Sequence, residues 1–134
     1  VSKTKHQNAP NAEQTQQFDE FIKHWQDVLG LGRWRLERGS KPAKDAMASV
    51  EFNDEAKLAT YRIGDFGATP INEKSLCMTA LHEVLHVFLH ELIVTAQDRG
   101  ATPEQLDAAE HGVINVLESV LWGDVHGVPQ QEEG

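Results

Sequence analysis

The chain has 134 residues, with 21 acidic against 12 basic side chains and a formal net charge of −9 at pH 7. That balance disfavours direct nucleic-acid binding, which needs clustered Lys and Arg against phosphate. Cys77 is the single cysteine, excluding an intrachain disulfide and a finger-type thiolate zinc site, and a hydrophobic content of 40% fits a globular domain with one modest core.

Residues 1–12 carry no apolar anchor and are expected to be disordered, ahead of a folded domain over 13–123 and a flexible tail over 124–134. Phe18, Phe21, Ile22, Trp25, Val28 and Leu29 recur at helical spacing, and Gly30 offers a stop. This first helix is expected to cover a sheet. Three strands follow: Arg33–Arg38 and Ala48–Phe52, which alternate polar and apolar residues, then Leu58–Ile63. Asn53-Asp54 marks the turn between the last two, and Gly64-Asp65-Phe66-Gly67 closes the third. Arg33, Arg35, Arg38, Lys41 and Lys44 cluster near the first strand, a patch whose ordinary meaning is a solvated face.

A long helix is expected from about Asn72 to about Ala96, with no Gly or Pro between Ile71 and Gly100. Its apolar residues fall on nearly every side, so it reads as buried. Thr102-Pro103-Glu104-Gln105 then forms a capping box with Pro in the first turn, opening a last helix to about Trp122 that ends at Gly123. The architecture implied is α+β. His82, Glu83, His86, His90 and Glu91 interrupt the best apolar run, so no membrane span is expected. Val1–Gln17 holds no apolar leader; with one cysteine a cytoplasmic protein is expected, and the chain is expected to be a monomer.

The long helix contains His82-Glu83-Val84-Leu85-His86. Residues four apart on a helix lie about 40° apart around the axis and roughly 6 Å along it. Two imidazoles so placed can grip one metal ion, and the intervening Glu83 can reach its bound water. The spacing predicts zinc at His82 and His86 with Glu83 as general base, the arrangement of a zinc metallopeptidase. The plain alternative is two satisfied core histidines and a partly exposed Glu.

A catalytic zinc takes three protein ligands and keeps a position for water. His90 continues the spacing but lies about 12 Å along the axis from His82, too far to share the ion, which leaves it a substrate-side or supporting group. On the last helix Leu106, Ala109, Val113, Ile114, Val116, Leu117, Val120 and Leu121 outline the expected buried face. Counting about 100° per residue from Leu106, Glu110 falls near 40°, inside that face, and His111 near 140°, beyond its edge. A carboxylate facing a core needs a partner, so Glu110 is the favoured third ligand and His111 the alternative.

With these residues the chain resembles small phage or prophage zincin-like metallopeptidases, related in outline to the SprT-like and gluzincin proteases. The resemblance covers roughly residues 15–122, and its specific part is His82-Glu83-Val84-Leu85-His86. It implies a protein or peptide substrate, zinc on the two histidines and Glu110, and an edge strand that pairs with extended substrate, here Leu58–Ile63. The sequence departs from the gluzincin pattern at Ile114, where an Asp often follows the ligand Glu by four. Tyr61, His90 and His111 are the candidates for stabilising a transition state. The rival readings are a non-catalytic module stapled by zinc and a DNA-associated protease, the second at odds with the acidic balance.

Overall fold

The computed structural model describes residues 8–126, with side chains to residue 122. The elements are α1 (Ala12–Val28), β1 (Arg35–Arg38), β2 (Ala48–Asn53), β3 (Leu58–Ile63), α2 (Glu73–Asp98) and α3 (Pro103–His126), the α+β order expected. They form two compact units, one through Phe88 and one from Leu89, so the boundary falls inside α2.

In the first unit α1 opens on a capping box: Asn11 Oδ1 accepts from Gln14 N at 2.8 Å while Gln14 Oε1 accepts from Asn11 N at 2.9 Å, satisfying two otherwise orphaned donors. Of the segment expected to be disordered, residues 1–7 lie outside the described residues. Asn8 is anchored, its Nδ2 donating to the Gly67 and Thr69 carbonyls, each at 2.9 Å. Phe18, Ile22 and Trp25, spaced by four and three, form the buried face of α1. Phe18 packs on Tyr61 of β3 with ring centroids 5.9 Å apart, and Trp25 Nε1 donates to the Cys77 carbonyl of α2 at 3.2 Å. The first helix therefore covers the sheet, as its amphipathic pattern predicts.

The sheet runs β1-β3-β2, with β1 parallel and β2 antiparallel to β3. This corrects one expectation. Leu58–Ile63 is the central strand, hydrogen-bonded along both sides, so its backbone cannot take up an extended substrate. Alternating apolar patterns identify strands without ordering them. The composition did hold a signal: β1 is Arg-Leu-Glu-Arg and β2 carries Glu51, whereas β3 buries Ala59 and Tyr61, and charge accumulates on edge strands as protection against pairing. Within the basic patch, Arg38 Nε meets Asp19 at 3.0 Å and Arg35 Nε meets Glu37 at 3.0 Å, so acidic partners balance part of it.

Helix α2 opens where Asn72 Oδ1 accepts from Ser75 N at 2.9 Å. Leu76, Ala80, Leu81, Val84 and Leu85 are buried, but Phe88 is 44% and Leu92 65% exposed. Burial on nearly every side thus holds only for α2 up to Val87; beyond it Leu89 is buried while its neighbours Phe88 and Leu92 are exposed. By length and composition alone α2 would also suit a membrane span, correcting the reading that no stretch qualifies; 44% of that apolar window is buried within the protein.

In the second unit Gly100, at φ +96, makes the turn that L side chains rarely adopt. Gln105 N then donates to Thr102 Oγ1 at 3.2 Å and Thr102 N to Gln105 Oε1 at 3.1 Å, the capping box expected. Helix α3 runs past Gly123 to His126; an interior Gly costs about 1 kcal/mol but ends a helix only when the next turn is left-handed. Its sheltered face also differs from expectation. Leu106 and Ile114 are buried, while Val113, Val116 and Val120 are 46%, 63% and 59% exposed. Apolar residues occur around more than half of α3, so periodicity could not choose among its faces. The tail beyond residue 126 lies outside the described residues.

Candidate metal centre

Helical geometry brings His82 and His86 together in the first unit. Their ring centroids lie 5.0 Å apart at an interplanar angle of 69°, and both residues are half-buried. An edge-to-face pair at this spacing presents two ring nitrogens to one side of the helix, an arrangement compatible with a metal ion between them. Partial shelter helps, since it keeps bulk water from competing for the ion while leaving an entry path.

Glu83 follows a different direction, one residue and about 100° further round. It is only 6% exposed and lines a tight hollow with Ile22, Leu36, Val50, Tyr61, Val84 and Val87 that has no room for a water molecule. Such a hollow cannot take a peptide. No buried side-chain nitrogen or oxygen among the described residues lacks a hydrogen-bond partner, so the carboxylate is held within the fold.

Tyr61 shares that hollow, but its hydroxyl donates to Asp19 Oδ1 at 2.7 Å, and Asp19 also accepts from Arg38 Nε at 3.0 and 3.2 Å. Burial first, then the hydrogen bond and charge of Asp19, push the Tyr61 phenol well above its ordinary pKa, against a smaller opposing effect of Arg38. The proton is thus committed to Asp19, a partner 42 residues away that no local pattern announces. The folded state holds this proton more tightly than the unfolded chain. Its contribution to stability is therefore complete below pH 10, the ordinary tyrosine value, and is lost as pH rises through the raised value. Tyr61→Phe is expected to cost about 1–2 kcal/mol at neutral pH and to remove the Tyr61 share of the alkaline loss. Urea titrations at neutral and alkaline pH read both effects.

The remaining candidates belong to the second unit. His90 is half-buried and joins no metal-capable cluster among the described residues. Glu110 and His111 are both half-buried on α3, and with Asp107 they bring one ligand atom each to within 4.8 Å of one another. Asp107 is the member that the choice between Glu110 and His111 left aside. Its i, i+4 spacing to His111 was the available signal.

No family model, curated protein or solved structure matches the chain, so the functional reading rests on its own residues, which support a metal site and identify no enzyme family.

Proposed function

We propose that the chain is a zinc-dependent metallopeptidase. His82 and His86 hold the ion, the third ligand comes from α3 as Glu110 or His111, and Glu83 is the general base. The observation that carries this reading is the His82–His86 pair, rings 5.0 Å apart, with Glu83 between them in sequence. Neutral imidazoles are the commonest zinc ligands, and three protein ligands leave a fourth position for water. Zinc, when bound, lowers the pKa of that water towards neutrality and polarises a carbonyl. Glu83 takes the proton from the attacking water and returns it to the leaving amine. A protein or peptide is the substrate class proposed.

A second reading has support in two observations: β3 is the central strand, and Glu83 is only 6% exposed. In it zinc staples the fold and nothing is hydrolysed. Metal analysis of the purified chain, followed by cleavage of an unfolded protein, separates the two. Near-stoichiometric zinc with cleavage that chelation abolishes is the expected result. Zinc without cleavage selects the staple, and absence of bound zinc at saturating supply overturns both.

A further inference from the structure

We infer that Asp107 orients His111 to bind metal through Nε2. The inference rests on the proposed zinc site and singles out one of its two candidate third ligands. His111 Nδ1 lies 3.0 Å from the Asp107 backbone carbonyl and 3.3 Å from Asp107 Oδ1. A carbonyl and an ionised carboxylate accept hydrogen bonds and cannot donate them, so Nδ1 is the nitrogen that carries the proton. In neutral imidazole that puts the lone pair on Nε2, at the far edge of the ring from Asp107. Metal-binding histidines commonly donate their second ring N–H to a carboxylate or backbone carbonyl, which fixes the tautomer and the ring direction. Here the Asp107 carbonyl is that acceptor, and the Asp107 carboxylate lies at ion-pair distance from the same nitrogen.

The two contacts contribute differently. The carbonyl is part of the helix and sets the tautomer whatever side chain stands at 107. The carboxylate is 73% exposed and sits 3.3 Å from Nδ1; facing a neutral ring it acts through the N–H dipole rather than as an ion pair, restricting the ring to one orientation, and the helix repeat supplies that placement without any long-range packing.

The tautomer is read first, on the metal-free wild-type protein, from the imidazole nitrogen shifts of His111 above its titration range. Protonated Nδ1 is expected, and protonated Nε2 overturns the inference without any variant being made. Zinc affinity is then measured by chelator competition. Asp107→Ala should weaken binding about 10-fold, Asp107→Asn, which keeps an acceptor oxygen, should restore most of the affinity, and Asp107→Ala should add nothing in a His111→Ala background. Unchanged affinity in Asp107→Ala, or an equal loss with and without His111, overturns the positioning role. If His86→Ala loses zinc while His111→Ala keeps wild-type affinity, this inference fails and the zinc reading stands. If neither variant changes zinc binding, the zinc reading itself fails.

Discussion

Replacing His86 by Ala is expected to remove zinc and stability together. Ala is the better helix former, by up to roughly 0.7 kcal/mol per residue, so helix propensity alone would favour the variant. The variant also loses the edge-to-face contact with His82 and the packing of a half-buried ring, so the metal-free proteins are compared first, in chelator, to set the baseline. Zinc separates them. At free zinc about 1,000 times Kd, a site present only in the folded state adds about 4 kcal/mol, or roughly 10–15 °C in Tm for a chain of this size. Thermal melts with zinc and with a chelator, beside metal content, measure this. His82→Ala should behave alike, and equal zinc content in wild type and His86→Ala would contradict the assignment of the pair.

Glu83→Gln should keep the zinc and lose the chemistry. Gln has nearly the shape of Glu, so the lining of the hollow shared with Tyr61 and Val84 is preserved, and the ligands at 82 and 86 are untouched. What disappears is a carboxylate able to accept a proton. General-base contributions run about 10²–10⁴-fold, so cleavage of an unfolded protein should fall by at least two orders of magnitude while metal content stays at the wild-type level. Proteolysis retained by the variant would exclude Glu83 as the base. Loss of zinc along with activity would assign Glu83 a role in building the site rather than in the reaction.

Local structure was largely legible in the residues. The helix start at Thr102 follows from a capping box that acts over three residues, whereas the box at Asn11 falls in the segment expected to be disordered; three strands were recognisable by alternation or by their closing turns. His82 and His86 meet because a helix repeats every 3.6 residues, which needs no tertiary information. These are short-range effects, carried by backbone geometry and by side chains within one turn of each other.

The order of the sheet, the face that α3 shelters and the burial of Glu83 were not accessible in that way. Leu58–Ile63 became the central strand because β1 and β2 pair with its two sides, a matter of long-range hydrogen bonding. On α3 the valines at 113, 116 and 120 satisfy an apolar period as well as Leu106 and Ile114 do, yet only the latter two are buried.

From the sequence alone came the α+β class and a histidine pair spaced for a metal, because both depend on periodicities built into the backbone. Only the tertiary structure decided which strand lies inside the sheet, that Tyr61 gives its proton to Asp19, and that the Glu83 carboxylate sits inside the fold. The first two depend on groups far apart in the chain meeting at hydrogen-bond distance, and the third on distant elements packing around Glu83; no local pattern encodes which distant partner will be there.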